Sequence, residues 1–220
     1  MRLYLNLTKS EEIIPFNYQQ YLTGALHKWI GNSNDLHGGL SLYSFSWLQN
    51  VDIIKGKGIM LKKDSYFFIG AYDELLIKKI LKGIMAYPEV CFEAKVSDVQ
   101  IVENPIFSSK EKFLVASPVF IKRRFDERIK HILYCDPDSA NYLTETLQKK
   151  LAFAGLDNDG VKVEFDSNFS SPQVKLIRYK EVDNRVNVCP VIIEGTPEQI
   201  TFAWNVGVGN STGIGFGSLK

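Results

Sequence analysis

Gly207-Val208-Gly209-Asn210-Ser211-Thr212-Gly213-Ile214-Gly215-Phe216-Gly217 places five glycines in eleven residues near the end of the chain. Upstream, Thr196-Pro197 with Gln199 predicts a helix opened by a capping box and by proline at the first helical position. Its core face is Ile200, Ala203 and Trp204. Downstream, Ile214 to Leu219 predicts a short strand. The order is therefore helix, loop, strand. A dinucleotide-binding glycine loop needs a strand before it and a helix after it, and a phosphate-binding Walker loop needs Gly-Lys-Ser/Thr, which is missing here. Both parallel α/β solutions fall away. Glycines free the backbone for positive φ and close approach, and exposed N–H groups in such a loop would cradle a phosphate. The plainer alternative is a glycine-rich helix exit.

Working outward, the preceding elements form a pattern that occurs twice. Met1 to Leu7 alternates with Leu3, Leu5 and Leu7 on one face, a strand. A helix follows Pro15, with Asn17 as N-cap and a stripe of Tyr21, Leu22, Ala25, Leu26, Trp29 and Ile30 ending at Gly31. Leu40 to Leu48 and Ser65 to Ala71 read as strands, and the aromatics of the second suit core packing better than base stacking. Asp73 caps a second helix to about Ala86, burying Leu76, Ile80 and Ile84, and Val90 to Val102 is extended. In the second half Phe113 to Ile121 pairs with Ile129 to Tyr134 as a hairpin. Asp136-Pro137 opens a helix that stops at Gly155. Val161 to Phe165, Val174 to Tyr179 and Val186 to Glu194 are strands. Two β-α-β-β-α-β series predict an α+β protein of two tandem ferredoxin-like domains, residues 1–109 and 110–220, divided near Ser108-Ser109.

The chain has 220 residues, enough for about one and a half average domains. Its 26 basic and 25 acidic residues give a net charge of +1. That excludes a uniformly basic nucleic-acid coat but leaves room for a local patch. One patch is evident: Lys122, Arg123, Arg124, Arg128 and Lys130 surround Asp126 and Glu127. On a hairpin this suits an RNA backbone better than it suits an idle solvated tip. Cys91, Cys135 and Cys189 form no C-x-x-C pair, so neither a disulfide framework nor a zinc ribbon is expected. No His/Cys/carboxylate cluster has metal spacing, and Asp157 to Gly160 reads as a turn rather than a calcium loop. The N-terminus turns polar too early for a signal peptide, and no apolar run reaches the length of a membrane span. A cytoplasmic protein without cofactor is expected.

The loop's Gly-hydrophobic-Gly, five residues, Gly-hydrophobic-Gly pattern resembles the signature of the CRISPR-associated RAMP superfamily. Within it the chain resembles the repeat-processing endoribonucleases of the Cas-six family. Further likeness lies in Pro15-Phe16-Asn17-Tyr18-Gln19-Gln20-Tyr21-Leu22 with Gly24, in Leu36-His37 before Leu42-Tyr43-Ser44, and in Ala116-Ser117-Pro118-Val119. The resemblance implies a metal-independent cut in CRISPR repeat RNA by its own 2′-hydroxyl, leaving a 2′,3′-cyclic phosphate and a 5′-hydroxyl. It also implies RNA as partner, CRISPR effector subunits and a second copy as further partners, and no membrane. The alternative is a non-catalytic RAMP subunit that holds guide RNA in an effector complex.

Such chemistry needs a base, an acid and positive charge near the phosphate, and histidine suits the first two roles. Of three histidines, His37 follows the first helix where family members hold their catalytic histidine. His27 faces away from the apolar stripe, with Thr23, Gly24 and Gly31 beside it, and is the expected partner. His131 falls in the basic hairpin as a fold or RNA-contact residue. No lysine stands between His37 and Tyr43 to match that of some relatives, which leaves Lys28, Lys55 and Lys57 as electrostatic support. RNA contacts are expected from Lys122, Arg123, Arg124, Arg128 and Lys130, and from Gly207, Gly209, Asn210, Ser211, Gly215 and Gly217.

Overall fold

The computed structural model describes residues 1–31 and 40–220. The first half runs β1 (Arg2–Leu7), α1 (Gln19–Ile30), β2 (Tyr43–Phe45), β3 (Gln49–Ile54), β4 (Gly58–Ala71), α2 (Glu74–Ala86), β5 (Glu89–Cys91) and β6 (Ala94–Val102). The second runs β7 (Lys110–Phe113), β8 (Lys122–Phe125), β9 (Arg128–His131), α3 (Ser139–Phe153), β10 (Lys162–Phe165), β11 (Gln173–Tyr179), β12 (Val182–Val188), β13 (Val191–Glu194), α4 (Pro197–Val206) and a 3-10 turn (Thr212–Ile214). Ser108 and Ser109 lie between β6 and β7. The chain is α+β, and every named strand pair is antiparallel. Among the described residues, no helix is long and apolar enough to cross a membrane.

The first six strands form one sheet in the order β2-β4-β1-β6-β5, with β3 folded onto β4. Alternation fixes its faces: Leu3, Leu5 and Leu7 of β1 and Phe67 and Ile69 of β4 are buried in one core with α1 and α2. The helices meet where Gly83 lets α2 close on the backbone of Trp29. The opposite face carries Arg2 and Phe68, and onto it packs α4 from the other half. A Cβ on Gly70 would stand 2.6 Å from the Asn205 carbonyl oxygen, so a glycine is what permits that contact. In the second half β13 lies between β10 and β7. This small sheet buries Phe113, Val163, Val191 and Ile193 with Leu143, Leu147 and Leu151 of α3 and Ile200 and Ala203 of α4.

Several local expectations hold. Asp73 caps α2, accepting from the Leu75 N–H at 2.8 Å, and Thr196 with Gln199 forms the capping box of α4. Others are corrected. The N-cap of α1 is Tyr18, with no side-chain cap. Its ring is drawn into the core, where its hydroxyl accepts from the Leu48 N–H, and Asn17 is left in the preceding turn. α3 starts at Ser139 with Asp138 as cap, because Asp136 closes a separate turn, accepting from the N–H groups of Asp138 and Ser139. The hairpin pairs β8 with β9, not Phe113–Ile121 with Ile129–Tyr134. Pro190 divides the expected strand over Val186–Glu194 into β12 and β13, and β3 is an additional strand. Ile214 to Leu219 is not a strand; it contributes the end of the 3-10 turn and one bridge, Leu219 to Val115.

Candidate nucleic-acid interface

The glycine-rich stretch is a joint before it is a cradle. Gly207 (φ 72°), Gly209 (φ 75°), Gly215 (φ 87°) and Gly217 (φ 65°) adopt backbone conformations that side chains disfavour. A Cβ on Gly207 would meet Ser44 and Gly217, one on Gly209 the Phe120 carbonyl, and one on Gly215 the Phe45 ring. Most of the loop's N–H groups are committed: Val208 donates to Gly217, Asn210 to Phe120 and Gly217 to Pro118, at 2.7 to 2.9 Å. The expected anion cradle of exposed N–H groups at Gly207, Gly215 and Gly217 is therefore corrected. The loop also receives the first half. The Trp47 indole donates to the Gly215 carbonyl (2.8 Å), the Tyr43 hydroxyl to Gly213 (3.3 Å) and the Gln19 amide to Ile214.

What stays open is a cleft of about 260 Å³ lined by Leu40, Ser41, Thr146 and Gly209 through Ile214. Asn210 also lines a second hollow of about 350 Å³ with Lys122, Arg123, Arg124 and Ile129 of the basic hairpin. The Asn210 carboxamide oxygen accepts from the Lys122 N–H at 2.9 Å, which ties the hairpin's base to the loop. The two hollows share Asn210 in their linings.

On the hairpin, cross-strand pairing puts Lys122, Arg124, Ile129 and His131 on one face. Lys122, Arg124, Arg128 and Lys130 are exposed, with Lys130 paired to Asp136 at 3.1 Å. Arg123 departs from its expected role. Its guanidinium donates to the Tyr142 carbonyl (2.7 Å) and Thr146 hydroxyl (3.1 Å) and lies over the Tyr142 ring. It docks the hairpin onto α3. His131 accepts at Nδ1 from the Arg185 N–H (3.2 Å) and meets the Phe120 ring edge-on. Burial, then Arg185 and Lys122, lower its pKa.

His37 falls within residues 32–39, outside the described residues. Leu40, three residues after it, lines the cleft. His27 is half-buried in the last turn of α1, two helical turns beyond Gln19, whose amide reaches the 3-10 turn. Thr23, expected beside it on an open face, is buried. Lys28 stands over the Tyr87 ring (4.2 Å) and 3.9 Å from Glu89. Lys55 and Lys57 occupy the exposed β3–β4 tip, where Gly58 abuts Ile14 ahead of α1. The structure thus places these two lysines beside the approach to α1, whereas His27 is in its last turn.

Ser41, Thr146, Thr212 and Lys150 were missed. Lys150 is buried in α3 and donates to the carbonyls of Val206 and Gly207 (3.3 Å each) and to the Thr212 hydroxyl (3.0 Å). The available signal was polarity in an apolar stripe: Thr146 and Lys150 interrupt Leu143, Leu147 and Leu151 at helical spacing.

A model of the family described as CRISPR associated protein Cas6, C-terminal, matches residues 102–220. The chain belongs to the Cas6 family. The CRISPR-associated endoribonuclease-like protein Cas6 of Pyrococcus furiosus is 26% identical over 247 aligned positions, covering 100% of this chain and 98% of the relative. The structure of a Cas6-related protein from Pyrococcus furiosus superposes with a TM-score of 0.85 at 21% identity, covering 100% and 97% of the two chains. A RAMP protein described as binding different RNA substrates superposes at 0.84 and 21%, covering 100% and 98%. These likenesses show that the Cas6 fold extends over the whole chain, the half outside the family model included.

Proposed function

We propose that this Cas6-family chain binds CRISPR repeat RNA along the line from Lys122 and Arg124 through Asn210 to the cleft at Ser41 and Thr212, and cuts it once without a metal ion. The observation that carries the reading is that the two hollows meet on one shared residue, Asn210. It joins an exposed cationic hairpin, suited to phosphates, to a cleft whose rim residue Leu40 closely follows His37. The names of the relatives, endoribonuclease-like for one and RNA-binding for another, agree with it.

In the proposed reaction the RNA 2′-oxygen forms a bond to the adjacent phosphorus as the 5′-oxygen leaves. One group takes the 2′-proton and another protonates the leaving oxygen, so the products are a 2′,3′-cyclic phosphate and a 5′-hydroxyl. His37 is the proposed acid or base, and His27 its partner or a group that orients the phosphate. Effector subunits and a second copy of the chain are proposed partners.

The test is incubation with end-labelled repeat RNA of the host in excess EDTA, beside RNA with one 2′-deoxy substitution at the cut site. A single cut abolished by the substitution is expected. His37→Ala should then lower the single-turnover rate by about 10²- to 10⁴-fold with affinity retained. Wild-type rates in that variant would remove His37 from the mechanism. Tight binding without any cut would instead favour the guide-RNA subunit.

A further inference from the structure

Lys150 presents an ammonium group that no acidic side chain among the described residues neutralises. Its three hydrogens are all used, on two carbonyls at the C-terminal end of α4 and on the Thr212 hydroxyl. All three acceptors are uncharged, and among the described residues no carboxylate is paired with it. The carbonyls of a helix end favour a cation, but they do not replace a counter-ion. Among the described residues, Glu145 of α3 faces Arg123 of β8, Glu198 stands in the first turn of α4, at the opposite end of that helix, and Tyr43 of β2 is kept neutral by burial. Thr146 and Thr212, one beside Lys150 on α3 and the other bonded to it, both line the 260 Å³ cleft. The charge therefore lies one hydroxyl beneath the cleft floor.

We infer that Lys150 is an electrostatic positioning residue of this cleft, drawing a phosphodiester anion onto Thr212 and the Gly209–Gly213 backbone without touching it. The inference rests on the RNA-binding reading for the identity of its ligand.

A consequence concerns protons. Burial lowers the Lys150 pKa to about 7, from an ordinary value of 10.5. Without ligand, the side chain loses its proton as pH rises through neutrality. The clasp survives, because a neutral amine donates to the two carbonyls and accepts from the Thr212 hydroxyl. An anion in the cleft favours the protonated form, so binding raises the pKa and takes up a proton. By linkage, each unit of rise corresponds to tenfold tighter binding by the protonated protein. Affinity should fall as pH climbs above about 7.

The direct test labels lysine with 13C and follows the Lys150 Cε resonance against pH, alone, with inorganic phosphate and with repeat RNA. The expected result is an upward shift of the Lys150 midpoint by about one unit with either ligand. Lys150→Met, which keeps the side-chain length, should bind RNA about tenfold more weakly at pH 6 and nearly as tightly as wild type at pH 8.5. RNA that binds while the midpoint stays still overturns the inference and leaves the RNA-binding reading intact. A midpoint moved by phosphate in a protein that ignores RNA supports the inference and overturns that reading. No shift with any ligand overturns the inference. The titration uses the wild-type protein, so it decides the matter even if the variant does not fold.

Discussion

Arg123 and Arg124 are neighbours in sequence with opposite tasks, and the alternation of a strand is the reason. Arg123 points to α3, where it meets the Tyr142 carbonyl and ring and the Thr146 hydroxyl. Arg124 is exposed and lines the hollow beside Asn210, which Arg123 also borders without giving up its bonds to α3. Arg123→Ala strips donors from a largely buried contact and should cost about 1–3 kcal/mol of stability, read from urea unfolding. Arg124→Ala should leave stability within about 0.5 kcal/mol. It should weaken RNA binding and reduce the slope of log affinity against log salt by about one phosphate contact. Equal loss of RNA affinity with unchanged stability in both variants would contradict the assignment of Arg123 to the hairpin's dock. The sequence identifies the run of charge. It does not say which member is spent on the fold, because that depends on where the hairpin's register begins. The expected hairpin placed the turn elsewhere and so assigned no faces.

At the scale of elements, the caps of α2 and α4 are legible in the sequence, those expected at Asn17 and Asp136 are displaced by one and two residues, the α1 stripe holds except for exposed Tyr21, and pairing partners are not legible. Asp73 and Thr196–Gln199 announce α2 and α4 because a cap is a local bargain between one side chain and the nearest N–H groups. The sequence misplaces the hairpin because Phe113 to Ile121 is as apolar as a strand, although β7 ends at Phe113 and the buried stretch from Ala116 to Ile121 runs irregularly, bonded to the C-terminal loop. The same loop was legible in its glycines and misread in their purpose. Five glycines in eleven residues suggest a ligand's approach, yet here most of the approaching atoms belong to the protein. Two substitutions separate these uses. Gly217→Ala would push a Cβ into the Val208 carbonyl at φ 65°. It should lower stability by at least about 2 kcal/mol. Gly24, in the interior of α1, has open space around its absent Cβ, and Gly24→Ala should raise stability by about 0.5–1 kcal/mol. Paired thermal melts check both signs. A tolerated alanine at Gly217 would mean that the loop is free to move and not a joint.

At the scale of the molecule, the two β-α-β-β-α-β series suggest two bodies joined by a linker, and the packing argues for one cooperative unit. α4, at the end of the second half, lies on the first sheet. Arg2 of β1 is buried there, its guanidinium 3.2 Å from the Trp204 ring centroid and bonded to the Trp204 carbonyl. Ser44 of β2 bonds the Asn205 carbonyl at 2.9 Å, and Trp47 and Tyr43 hold the glycine loop. These contacts come from residues more than 100 positions apart, which no periodicity records. Separate unfolding would strip α4 from Gly70 and leave Arg2 and Phe68 facing water. Far-ultraviolet circular dichroism, which follows all the helices, and tryptophan fluorescence, which follows Trp29, Trp47 and Trp204, should therefore give coincident urea transitions. Gly70→Ala, whose Cβ would crowd the Asn205 backbone at 2.6 Å, should move both transitions to lower urea together by about 1–3 kcal/mol of stability. If the variant instead splits them, with α1 and α2 persisting after α4 is lost, the halves are thermodynamically independent. The cleft would then be a contact between two bodies, and Lys150 and Thr212 could not hold its floor in a fixed relation to Ser41.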